Sequence, residues 1–234
     1  MLESSSTVSS VSSVSASVRK RLATTLAVAA IILAAVLSLW YGGRAAWSDA
    51  SALHARWLVN GWRDDKGLIY NQKLWREARD DLQSALQTAP NNAQLLDDLG
   101  FLHAARAQGL GTPTTGGTEH ALQQNLLTDA ILYYRAAVSL RPTFPYSLAY
   151  LAFSKHLRGE RDAEFWLVFD KALHYGHTEA GVQPALAQIA FADWSEIGNK
   201  RQGQIISMVQ AAPAALRKRF VELAEKNTVT LPGL

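Results

Sequence analysis

Two carboxylates, two histidines and a glycine-rich run are the residues whose types and spacing invite chemistry. Asp193 and Glu196 stand three apart beside Trp194, a spacing that puts both on one side of a helix. Paired carboxylates are what glycoside hydrolysis needs, but they must flank a bond from a cleft, and two neighbours on one helix build none. His174 and His177, with Glu179 nearby, fall short of the ligand set of a zinc centre. A polar helix C-terminus, where a cation is favoured, accounts for both imidazoles. Gly109 to Thr118 is rich in glycine and threonine, yet it lacks the Gly-Lys-Ser/Thr ending of a phosphate-binding loop and follows a helix, not a strand. Neither Gly-x-Ser-x-Gly nor His-Glu-x-x-His occurs. Cysteine is absent, which removes disulfides, thiol nucleophiles, Cys-type zinc sites and Fe–S clusters. The expectation is a protein that is not an enzyme, with no catalytic residue, no cofactor and no metal.

The elements that must position any site begin with an N-terminal anchor. Residues 1–18 hold nine serines and one charge, Glu3, too little apolar surface to offset backbone entropy. Residues 1–21 are therefore expected to be a disordered tail ending in a basic flank, Arg19, Lys20 and Arg21. Leu22 to Tyr41 contains no charge over 20 residues. At about 1.5 Å per residue it spans roughly 30 Å, one hydrocarbon core. Trp40, Tyr41 and Trp47 sit at its far end, where amphipathic rings favour the headgroup zone. A cleaved leader would need a shorter n-region and a better site than Gly43-Arg44-Ala45, so residues 22–41 are expected to remain as a single transmembrane helix. The compact basic flank predicts the N-terminus inside and the C-terminal domain outside.

Beyond the anchor, apolar residues recur at helical spacing and no stretch alternates over a strand length. Of 234 residues, 48% are hydrophobic and 18% charged, which suits a folded body behind one span. Residues 1–41 hold only Arg19, Lys20, Arg21 and Glu3 as charges, leaving 20 basic and 19 acidic residues in 42–234. So balanced a body argues against nucleic acid as a partner.

The body repeats itself. EARDDLQSALQTAP, ending at Pro90, aligns with DAILYYRAAVSLRP, ending at Pro142. Ala78 matches Ala130, Leu82 matches Tyr134, Ala85 matches Ala137, and both runs close on proline. Leu99-Gly100 and Leu151-Ala152 follow at equivalent positions, and Gly159 supplies a turn. This pattern resembles the tetratricopeptide repeat over about residues 59–176: small residues let paired helices approach, a larger one fills the groove between repeats, and proline ends the helix. The resemblance implies an all-α solenoid of helical hairpins over 42–176, with an insertion near 106–123 splitting the second repeat. Helices over 177–234 would cap the stack.

The resemblance also implies a concave groove whose facing positions are Gln94, Asp97, Phe101, Tyr146, Phe153 and His156. The lysine, asparagine and arginine of a carboxylate clamp are missing there, which disfavours a C-terminal carboxylate ligand. With the anchor, FPYSLAYLAFSKHLRGERDAEFWLVFDKAL and VQPALAQIAFADW, the layout is similar to small single-span tetratricopeptide proteins that accompany bacterial exopolysaccharide or capsule machinery. That likeness implies a scaffold in a bacterial inner membrane, its domain in the periplasm, binding protein partners of the envelope. An assembly factor for a secretion or pilus system is the alternative, a glycan-acting enzyme the remote one, and glycan contact has no support of its own.

Overall fold

A computed structural model of the chain describes residues 6–64 and 71–233. Among the described residues there are ten helices and no strand, so the protein is all-α. The chain divides into two compact units, Met1–Ala50 and Ser51–Leu234.

The first unit is dominated by α1, Ser6–Ser51, 46 residues in one helix. Its apolar side chains from Leu22 to Trp47 are exposed around the whole circumference. A helix without a polar face has no stable orientation on a water-soluble core, and Arg21–Ser51 is long and apolar enough to cross a membrane. Two expectations change. Residues 6–21, read as a disordered tail, carry the helix back to Ser6, because propagation from a formed helix costs far less than starting one. The helix also runs ten residues past Tyr41, so the apolar stretch 22–41 lies within a longer helix. Residues 1–5 lie outside the described residues.

The second unit is a run of helices in which each packs on the next. These are α2 (Leu53–Asp64), α3 (Gln72–Thr88), α4 (Ala93–Gly109), α5 (Thr118–Leu140), α6 (Pro145–Leu157) and α7 (Ala163–Gly176). Each start has a local cause. Asn71 and Asn92 accept hydrogen bonds from the second and third backbone N–H groups of α3 and α4, Asp162 caps α7, and Pro145 opens α6 with its φ preset.

The ends repeat as well. Ala89 and Arg141, each before a proline, close α3 and α5 at φ/ψ of −130/75° and −134/74°. Proline pushes the residue ahead of it out of the helical region, so the same dipeptide logic gives the same stop. Leu110 and Arg158 end α4 and α6 at −78/−8° and −82/−9°, and each is followed by a glycine at positive φ, Gly111 or Gly159.

The aligned residues do the packing. Ala78, Leu82 and Ala85 are buried on α3, and Ala130, Tyr134 and Ala137 on α5. Leu99, Leu151 and Ala152 are buried too, and a Cβ on Gly100 would lie 2.9 Å from the Tyr134 ring. Helix and ring therefore meet at a distance only glycine permits.

The insertion near 106–123 is helical at both ends, and its connection falls within the glycine- and threonine-rich run 109–118. Residues 106–109 finish α4 and 118–123 begin α5, leaving 110–117 as the connection. Gln123 ties it down by donating to the carbonyls of Ala107 at 3.0 Å and Gly111 at 2.8 Å. The first repeat is also displaced: the helix preceding α3 occupies Leu53–Asp64, earlier than a start near residue 59 would place it.

Three further helices, α8 (Gln183–Ala192), α9 (Gly198–Ala211) and α10 (Ala214–Lys226), complete the unit. Their buried residues, among them Leu186, Ile205 and Phe220, join one apolar cluster with Phe165 and Phe169 of α7. A second cluster joins α2 to α5 around Trp62, Leu82 and Leu99.

Candidate binding groove

Within the second unit, a cavity of about 460 Å³ opens between α4, α6 and α8. A neighbouring one of about 240 Å³ shares Arg63, Phe101, Tyr134, Tyr146 and Tyr150 with it, so the two form one groove. Helical spacing sets most of its wall. Phe101, Ala104, Ala105 and Gln108 recur along one side of α4, and Tyr146, Tyr150 and Phe153 along α6. Pro184, Ala185 and Gln188 of α8 close the far side.

The floor is aromatic. Tyr134 and Tyr150 lie 6.0 Å apart and within 20° of parallel, and Phe144 stacks on Tyr146 at 5.5 Å. Arg63 covers the Phe101 ring at 5.0 Å and Arg141 the Phe144 ring at 4.0 Å, positions where a cation is attracted to the ring face. Tyr150 donates to the Gly181 carbonyl at 3.2 Å. A Cβ on Gly181 would fall 2.8 Å from the Tyr146 ring, so the α7–α8 connection passes closer than any other residue allows.

Two buried carboxylates brace the groove. Asp97 accepts a 2.6 Å bond from Ser147 and pairs with Arg141, which links α4 to α6 and to the turn before it. Burial pushes the Asp97 carboxyl up to about 6, against the pull of Ser147 and Arg141. Asp98 accepts from Arg63 at 2.8 Å and Gln94 at 3.1 Å, with Arg56 at 3.6 Å, which links α2 to α4. Burial raises the Tyr134 hydroxyl well above its usual range and Tyr150 upward as well, so both stay neutral.

Of the six expected groove residues, Gln94, Asp97, Phe101, Tyr146 and Phe153 line one cavity or both. His156 does not. Its ring lies 6.2 Å from Phe153, and its Nδ1 faces Arg161 and, at 3.4 Å, Asp193. Burial and the Arg161 charge lower its pKa. Phe153 is 5% exposed and belongs as much to the core as to the groove.

Tyr134, read from the sequence as packing alone, does both jobs. Arg63, Tyr150 and the α8 wall were not read as groove residues. Tyr150 carried a signal, standing four residues after Tyr146 on one helix. Arg63 and α8 carried none, because their place depends on how distant helices pack.

The carboxylate pair considered above dissolves. Asp193 follows the end of α8 and takes two bonds from Arg161, at 2.6 and 3.1 Å, while Glu196 is exposed. Among the described residues, no group of three His, Cys, Asp or Glu side chains is gathered for a metal.

The fold and groove define an all-α helical-hairpin protein with an aromatic cleft. Comparison with family models, with curated proteins and with solved structures finds no match for the chain.

Proposed function

We propose that the chain is a membrane-anchored scaffold of tetratricopeptide type that captures a segment of a partner protein in its aromatic groove. Its process is bacterial cell-envelope biosynthesis, in particular that of exopolysaccharide or capsule. The groove carries this reading. Six rings from three helices and the α5–α6 turn face an accessible cleft, where aromatic residues give large contact area at small entropic cost. The paired helix ends and the Gly100–Tyr134 approach support the repeat assignment. The basic flank before α1 supports an inner-membrane location with the N-terminus cytoplasmic and the second unit periplasmic.

The test is partner capture by the full chain in detergent. Phe101→Ala with Tyr146→Ala removes two half-buried rings from the floor. The double variant is expected to keep its helical signal and lose its bound partner by tenfold or more, about 1.4 kcal/mol or greater. A polymerase or glycan exporter among the wild-type partners supports the proposed process, whereas pilin or secretin would move it to secretion. Identical partner recovery by the variant sinks the groove reading.

A further inference from the structure

Helix α2 buries Ala55, Leu58, Val59 and Trp62 in the core and turns Leu53 and Trp57 the other way. Those two stand four apart, one turn of helix, so they share a face. Trp57 is 72% exposed and Leu53 65%, whereas no other large apolar side chain described in the second unit exceeds 54%. The exposed residues of the first two turns, Leu53, His54, Trp57 and Asn60, include no carboxylate, and the Trp57 ring stacks on His54 at 6.3 Å. Neither Leu53 nor Trp57 lines the groove, so partner capture there leaves both unexplained.

Position along the chain says what covers them. Arg21–Ser51 has 31 residues and is roughly 46 Å long, against about 40–45 Å for a bilayer with its headgroup zones. Leu53 comes two residues after Ser51, at most about 7 Å of extended chain. A helix that crosses the bilayer therefore delivers Leu53 at a lipid headgroup surface. An indole buries about 150–250 Å² and favours that zone without needing a shaped partner. A second protein would need more: each side of a stable interface covers roughly 800 Å², and two side chains fall far short of it. Resting on the membrane-anchored reading, we propose that Leu53 and Trp57 form a foot on which the second unit rests against the phospholipid headgroups. Two side chains bind more weakly than one fatty acyl chain, itself a marginal anchor, so the foot orients the body while α1 holds it. Arg63, a groove residue, stands six residues beyond Trp57, about 9 Å along the α2 axis. The foot thus keeps the groove close to the bilayer surface and fits a partner whose captured segment lies at that level.

The chain has no cysteine, so single introduced cysteines can carry a fluorophore. The full chain is reconstituted in vesicles of phosphatidylethanolamine and phosphatidylglycerol with a nitroxide on the headgroup or deep in the acyl chain. The fluorophore is placed by Leu33→Cys in α1, Leu53→Cys in α2 or Leu167→Cys on an exposed face of α7. The headgroup nitroxide is expected to quench Leu53→Cys about threefold more than Leu167→Cys, and the acyl-chain nitroxide to quench Leu33→Cys. Trp57→Ser, added to Leu53→Cys, should keep the helical signal and lose most of that difference. Equal quenching of Leu53→Cys and Leu167→Cys, or no change with Trp57→Ser, overturns the foot. If Leu33→Cys is still quenched in that case, the anchor stands; if it is not, both fail. Disulfide-linked dimers of unlabelled Leu53→Cys in the vesicles, lost with Trp57→Ser, would also overturn the foot by giving the face to a second copy.

Discussion

At the residue scale, Lys155 shows what the charged turn between α6 and α7 is for. Only 1% of its side chain is exposed, and its Nζ meets Asp162 at 2.8 Å, Glu164 at 2.8 Å and Glu160 at 3.0 Å. Burial opposes the charge, but the three carboxylates outweigh it and hold the ammonium above its ordinary pKa. Glu164 also takes two 2.7 Å bonds from Arg135 of α5. Arg135 first, and Lys155 with it, hold the Glu164 carboxyl down at about 2, below the usual 4.5. Its stabilisation is therefore present above pH 4.5 and lost as pH falls toward 2. Glu164→Gln is expected to cost about 1–2 kcal/mol at neutral pH, a moderate figure because Glu164 is partly exposed. Thermal melts of the two proteins should converge as the buffer is taken from pH 5 to pH 2. A gap that stays constant over that range would rule this account out. None of it was legible in the sequence, where lysine in a helix reads as surface.

At the element scale, most of the helices were legible, because proline, glycine and asparagine mark their ends by local chemistry. Pro90 and Pro142 predicted two equivalent stops, and the backbone takes the same conformation at both. The glycine- and threonine-rich run 109–118 was legible as well, since 110–117 lies outside the helices and the rest of the insertion extends α4 and α5. Glycines of identical type separate by environment. In Gly100→Ala the new Cβ meets the buried Tyr134 ring at 2.9 Å. Helix propensity would gain about 1 kcal/mol, but overpacking costs about 2–3 where the ring it meets is buried, so a net loss near 1–2 kcal/mol is expected. Gly203→Ala, on an exposed turn of α9 with nothing within 4 Å, should instead gain about 0.5–1 kcal/mol. Urea denaturation reads both, and opposite signs are the expected result. Equal signs would mean that the Gly100 approach is slack.

At the scale of the whole molecule, the sequence separated an apolar span from a helical body but could not assemble the groove. Phe101 and Tyr146 followed from repeat phase, since each sits at a fixed offset from a helix start. Arg63 and the α8 residues come from opposite ends of the second unit and meet only through tertiary packing. The division itself is testable. The apolar side chains of α1 are exposed over its membrane-length stretch, while the buried clusters lie wholly within Ser51–Leu234. A chain lacking residues 1–50 should thus leave the membrane fraction and keep a cooperative helical melt, because no buried cluster loses a member. The full chain should stay membrane-bound, and alkaline phosphatase fused after Leu234 should be active, since that enzyme needs an oxidising compartment to form its disulfides. The proposed topology rests on Arg19, Lys20 and Arg21, so replacing all three with serine should reduce phosphatase activity in favour of a cytoplasmic reporter at the same position. A phosphatase fusion inactive in the unaltered chain would reverse the proposed topology and put the groove, with whatever segment it holds, on the cytoplasmic side.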